Sequence, residues 1–156
     1  MIHSFLRLVL VLLTLGSASL LHAQRERLTP EEIEIVEKKW PGTKKTSTGI
    51  RYIIQQEGAG ESPKSGDRVS VMYIGTLLDG TKFDGRVAPE DPLSFRLGRQ
   101  EVIAGWEQIL PMMKLNEKRL VIIPGSLAYG SRGRAPLIGR DATLVFEMEL
   151  VKITPQ

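Results

Sequence analysis

The chain changes rhythm at Gly49. Beyond it, apolar and polar residues alternate in short runs, the period expected of half-buried β-strands. "IRYIIQQ" (50–56) is rich in strand formers and leads into the turn-rich "EGAGESPKSGD". "RVSVMYIGTL" (68–77) places Val69, Val71 and Tyr73 on one face. "DG" at 79–80 signals a tight turn, followed by "TKF". "LSFRL" (93–97) is a short alternating strand closed by Gly98, and "EKRLVIIPG" (117–125) is another strand. "ATLVFEMELVKI" (142–153) is the clearest, with Leu144, Phe146, Met148 and Leu150 on one face and Glu147 and Glu149 opposite. Only "GRQEVIAGWEQIL" (98–110) breaks the rhythm. It reads as a turn leading into a short helix that ends near Pro111. The pattern predicts an α+β fold of about five antiparallel strands and one short helix. So short a helix must lie on the apolar face of the sheet, with Trp106 directed into the concavity.

Upstream, "RERLTPEEIEIVEKKWPG" (25–42) carries helix signals of its own. Thr29 suits the N-cap, Pro30 the first helical position, and Glu31 and Glu32 the positive end of the helix dipole. Lys38 and Lys39 suit the other end, and Pro41-Gly42 stops the helix. With the linker-like "TKKTSTG" (43–49), this predicts a short helical arm on a tether, exposed to solvent; a dimer contact and a docking helix are the alternatives. Residues 1–23 read as an export signal: a basic start at Arg7, the apolar run "LVLVLLTL" (8–15), then small residues. Cleavage after Ala23 or after Ala18 fits, and an uncleaved anchor is the rival, although the run is short of the roughly 20 residues of a membrane span. The expected organisation is signal 1–23, arm and linker 24–48, and one domain over 49–154.

Composition narrows the chemistry by what is missing. The 156 residues hold no cysteine, which removes disulfides, thiolate nucleophiles and cysteine metal sites. The only two histidines, His3 and His22, lie in the leader, so the mature chain also lacks histidine ligands, triads and imidazole acid–base catalysis. No cofactor is expected. Net charge is +3 and falls to +2 once Arg7 leaves with the signal, with no alternation of aromatic and basic residues, so no nucleic-acid partner is expected. Read by periodicity alone, Trp106 is a core anchor, as a lone aromatic at helical spacing usually is; a place in a site is the alternative.

Four stretches taken together resemble one family: "VMYIGTLLDGTKFD" (71–84), "FRLGRQEVIAGWEQIL" (95–110), "VIIPGSLAYG" (121–130) and "ATLVFEMEL" (142–150). In this order and spacing they are similar to the FKBP-type peptidyl-prolyl cis–trans isomerases, the macrolide-binding immunophilins. The resemblance runs from about Gly49 to Ile153. It implies a five- to six-stranded antiparallel sheet wrapped around one short central helix, and an aromatic pocket between them. It also implies roles for single residues. Trp106 is the pocket floor, and Tyr73, Phe83 and Phe146 are its walls. Val102 and Ile103 are the apolar pair before the helix, with the Ile103 N–H donating to a substrate carbonyl. Tyr129 offers its hydroxyl to another ligand carbonyl, and Asp84 is a buried acid facing the pocket. Core-only roles for Tyr73 and Phe146, a turn role for Asp84 and a structural role for Tyr129 stay open. Four places depart from the family pattern: Leu93 where an aromatic is frequent, Arg134 where animal members often carry histidine, "LIGR" (137–140) in place of a proline-containing stretch, and "DGR" (84–86). They bear on macrolide affinity and on the residue preferred before proline. Arg132, Arg134 and Arg140 read as a solvated rim, with contact to an acidic client or anionic surface as the alternative.

The implied activity needs no nucleophile. Rotation about a peptide C–N bond faces a barrier of about 18–20 kcal/mol because of its partial double-bond character. X-Pro bonds populate both isomers yet exchange over tens to hundreds of seconds. A dry aromatic pocket that holds the proline ring and favours the twisted amide would lower the barrier by differential binding. The expected substrates are X-Pro segments of unfolded or newly exported proteins, and macrolides are candidate inhibitors. Export to a bacterial periplasm or the exterior is the favoured location, without stable membrane insertion once the signal is cleaved. A chaperone-like binding module of the same fold with little turnover is the alternative.

Overall fold

The computed structural model describes residues 28–156; the export-signal reading of 1–23 lies outside the described residues. Seven strands form one antiparallel sheet: β1 (Lys44–Lys45), β2 (Arg51–Gln56), β3 (Arg68–Leu77), β4 (Lys82–Arg86), β5 (Leu93–Arg96), β6 (Lys118–Ile123) and β7 (Leu144–Thr154). Their order is β1-β2-β6-β7-β3-β4, with β5 also paired to β3. β5 pairs with residues 68–71 of β3 and β4 with residues 73–76, so both follow one edge of the same long strand. The expected five to six strands differ from the observed seven through this divided edge and through β1. Lys44 and Lys45 pair with Tyr52 and Arg51, so the stretch read as a linker, 43–49, instead contains a strand and the turn into β2.

Two helices cover opposite faces of the sheet. α1 (Pro30–Lys39) begins with a capping box: the Glu32 N–H donates to the Thr29 hydroxyl at 3.2 Å, and the Thr29 N–H to the Glu32 carboxylate at 2.8 Å. The expectation of a solvated arm is corrected here. Val36 is fully buried, and with Leu28 it packs on Leu120, Ile122 and Val145 of the outer sheet face. These residues sit opposite the concave-side residues of the same strands, so β6 is apolar on both sides over Leu120–Ile123, while β7 adds Val145 to the outer face ahead of Glu147 and Glu149.

α2 (Ala104–Ile109) lies in the concavity. It does not stop at Pro111 but tightens into a 3₁₀ turn over Leu110–Met112, as last helical turns often do. Packing holds it, with Trp106, Ile109 and Leu110 buried among Val69, Val71, Val121 and Leu150. The Glu107 carboxylate also accepts from the Gly98 N–H at 2.7 Å and the Gln100 N–H at 2.9 Å, tying the entry loop to the helix. A buried ion pair closes one end of this core. Arg119 Nε donates to Glu117 Oε1 at 2.6 Å, and the guanidinium lies 4.6 Å from the centre of the Tyr52 ring.

Candidate active site

Cross-strand register builds the site. Gly75 of β3 stands opposite Phe146 of β7 on one side and Asp84 of β4 on the other. Without a side chain there, the Phe83 and Phe146 rings close over the strand; an added Cβ would lie 2.6 Å from Phe83 Cζ and 3.0 Å from Phe146 Cε1. The β3–β4 pairing is irregular at this point: Gly75 pairs with Asp84 but Thr76 with Lys82, so Phe83 is the extra residue of a bulge. Consecutive strand residues ordinarily point to opposite faces. The bulge re-aims them, and Phe83 and Asp84 both line the same cleft.

That cleft has a volume of about 380 Å³. All eight residues expected from the sequence line it: Trp106, Tyr73, Phe83 and Phe146, the pair Val102 and Ile103, and Tyr129 and Asp84. Trp106 lies at its base. Tyr73 meets the Trp106 ring edge-on with centroids 4.9 Å apart, and Phe146 meets it at 5.3 Å and 81°. Phe83 in turn stands edge-on to Phe146 at 5.7 Å. Edge-to-face arrangements of this kind fix ring orientations as well as burying area. Tyr73 and Phe146 are therefore both buried core residues and cleft walls. Phe95, which the sequence reading did not assign, supports Trp106 from behind at 6.1 Å. Its place between Leu93 and Leu97 on the inward side of "LSFRL" was the available signal.

Polar groups gather at the mouth. The backbone N–H of Ile103, just before α2, donates to no acceptor among the described residues. Asp84 lies within β4, which removes the turn reading, but it is not the buried acid expected: its side chain is 37% exposed. Burial acts to raise its pKa, yet the Gly85 N–H, the neighbouring Tyr73 hydroxyl and Arg134 together outweigh this and hold the carboxyl below the usual carboxylate value. Tyr73 is pushed up to about 12, first by burial and then by the Asp84 charge. Arg132 and Arg140 are exposed, in keeping with a solvated rim, but Arg134 departs from that expectation. Its Nη1 lies 3.3 Å from Asp84 Oδ2 and 3.3 Å from the Tyr129 hydroxyl oxygen, linking the β6–β7 loop to β4 across the mouth. Arg86 and Glu101 also line the cleft and were not foreseen as site residues; alternation gives no signal for either.

Comparison with known proteins places the chain in a family. Residues 59–151 match the family described as FKBP-type peptidyl-prolyl cis-trans isomerase. The chain is 44% identical over 117 residues to the FKBP-type peptidyl-prolyl cis-trans isomerase FkpA of Escherichia coli, covering 75% of this chain and 42% of FkpA. It is 47% identical over 107 residues to the human peptidyl-prolyl cis-trans isomerase FKBP4, covering 68% of this chain and 23% of that protein. This chain thus spans less than half the length of these curated relatives. A crystal structure of a peptidyl-prolyl cis-trans isomerase from Pseudomonas syringae superposes with a TM-score of 0.69 at 36% identity, covering 80% of this chain and 91% of that one. The crystal structure of E. coli FkpA gives 0.71 at 37% identity, covering 99% of this chain and 72% of that one. From family match, identity and shared fold together, this chain belongs to the FKBP-type peptidyl-prolyl cis–trans isomerases.

Proposed function

We propose that the protein is a peptidyl-prolyl cis–trans isomerase that accelerates X-Pro isomerisation during the folding of exported proteins. The observation that carries this reading is the cleft itself, an aromatic floor and walls with the open Ile103 backbone N–H at the rim. The proline ring seats on Trp106 between Tyr73 and Phe146. The Ile103 N–H holds a substrate carbonyl, and Tyr129 holds another. As the amide twists it loses resonance and its charge separation shrinks, so the aromatic base of the cleft opposes the transition state less than water does. Each 1.36 kcal/mol taken from the barrier is tenfold in rate. Every step is binding, with no proton to move and no bond to break.

The export part of the proposal rests on the leader pattern of residues 1–23, a basic start, a short apolar run and small residues before the cut. A denatured exported protein whose refolding is limited by proline isomerisation tests activity and client class together. The chain from Gln24 should speed that slow phase at substoichiometric concentration, and a Phe146→Leu variant should lose most of the effect. A chain that suppresses aggregation but leaves the slow phase unchanged would instead be the holding module.

A further inference from the structure

The mouth of the cleft is charged in an uneven way. Two arginines line it, each facing one carboxylate, together with Glu101 from the loop before α2. Arg86 is committed: its Nη1 lies 2.7 Å from both oxygens of Asp91. Arg134 is held loosely. Only Nη1 is used, at 3.3 Å from each of two acceptors, and the side chain remains 53% exposed. A guanidinium carries five N–H donors in a planar fork suited to a carboxylate. The Nε and Nη2 donors of Arg134 have no acceptor among the described residues. An exposed ion pair such as Arg134–Asp84 contributes little to stability, so small adjustments of the fork about Nη1 to meet a ligand cost little. Meanwhile the Tyr129 hydroxyl, which accepts from Arg134, keeps its own proton free to donate to a substrate carbonyl.

We propose that Arg134 is a specificity-determining residue that selects substrates with an acidic side chain immediately before the proline, its open Nε and Nη2 donors gripping that carboxylate while Nη1 stays on Asp84 and Tyr129. The proposal rests on the isomerase reading for its catalytic consequence, but not for its binding consequence. The guanidinium stands beside Phe83 and Tyr129 at the rim, where a residue flanking a proline seated on Trp106 must pass. A lysine in that place would meet Arg134 with like charge. Glutamine, with the shape of glutamate and no charge, isolates the electrostatic part.

The test is a set of short peptides differing only in the residue before proline, glutamate, glutamine, lysine or leucine. A protease-free exchange assay gives kcat/KM, and calorimetric titration gives Kd. In the wild type, glutamate should exceed glutamine by about fivefold and lysine by more, with the advantage shrinking as salt is raised. In Arg134→Gln the glutamate-to-glutamine ratio should fall to about one, and Arg134→Lys should restore part of it, since a lysine offers the charge without the fork. Ratios within one variant cancel any loss of folded protein. A ratio unchanged in Arg134→Gln, or one abolished by Arg86→Gln instead, would overturn the proposal. Should the wild type turn over none of the peptides, leucine included, the isomerase reading falls, and the Kd ratio still decides whether Arg134 selects acid.

Discussion

A methyl group at Gly75 would meet Phe83 Cζ at 2.6 Å and Phe146 Cε1 at 3.0 Å. Gly75→Ala should therefore cost about 1–3 kcal/mol by overpacking and spread the cleft walls. The expected outcome is a fall of about tenfold in kcat/KM on a Leu-Pro peptide, with a modest drop in melting temperature. Equal activity in the variant would mean that the ring positions do not matter to turnover. Titration makes a second residue-level prediction. The Asp84 carboxyl is held below its ordinary value of 3.8, so its contribution to stability is present at neutral pH and is lost as pH falls through that lowered value. The Tyr73 phenol is raised from 10.0 to about 12, so its contribution is full below 10.0 and is lost as pH rises towards 12. With no histidine beyond position 22, kcat/KM for an uncharged peptide should stay flat from about pH 5 to about pH 9. A bell-shaped profile inside that window would point to proton transfer. At this scale the family resemblance named eight residues that do line one cleft. The shared orientation of Phe83 and Asp84 was not, because a bulge is a property of pairing and not of either strand alone. The tie from Arg134 to Asp84 joins residues 50 positions apart and leaves no trace in periodicity.

Among the elements, α1 separates stability from catalysis. Its stripe of Ile33 and Val36, continued by Trp40 at the C-cap, has helical spacing and packs on the outer sheet face, away from the cleft. Val36→Ala should cost about 1–3 kcal/mol through the cavity it leaves. Thr29→Ala should cost about 1 kcal/mol through the lost cap. Both should show in urea unfolding while kcat/KM on a Leu-Pro peptide stays within about twofold of the wild type. A large loss of activity in a folded Val36→Ala protein would show that the outer helix is coupled to the site. The bounds of α1 could be read from its caps, but its resting place could not. One hint was present: "LVII" at 120–123 is apolar on consecutive positions, which a strand shows when both faces are covered. What covers the second face is a non-local choice. The same limit explains β1, two lysines whose strand character comes only from pairing with β2.

For the molecule as a whole, the sheet divides the work. Its outer face carries a helix that contributes packing, and its concave face carries a second helix whose tryptophan floors a cleft of about 380 Å³. The alternation of "RVSVMYIGTL" and "ATLVFEMEL" was enough to place that concave face, since Val71, Tyr73, Phe146 and Met148 are all buried where the pattern put them. The central claim is that this surface lowers a rotational barrier by non-covalent binding alone, through its aromatic rings and the hydrogen-bond donors at its rim. It is tested most directly by the cis–trans exchange rate of a Leu-Pro peptide, measured by magnetisation transfer with the chain from Gln24 and with Phe146→Leu. Uncatalysed exchange takes tens to hundreds of seconds. The wild type should shorten it at least about tenfold, and a folded Phe146→Leu protein should lose about tenfold of kcat/KM. A folded wild-type protein that leaves exchange at its uncatalysed rate would contradict the claim.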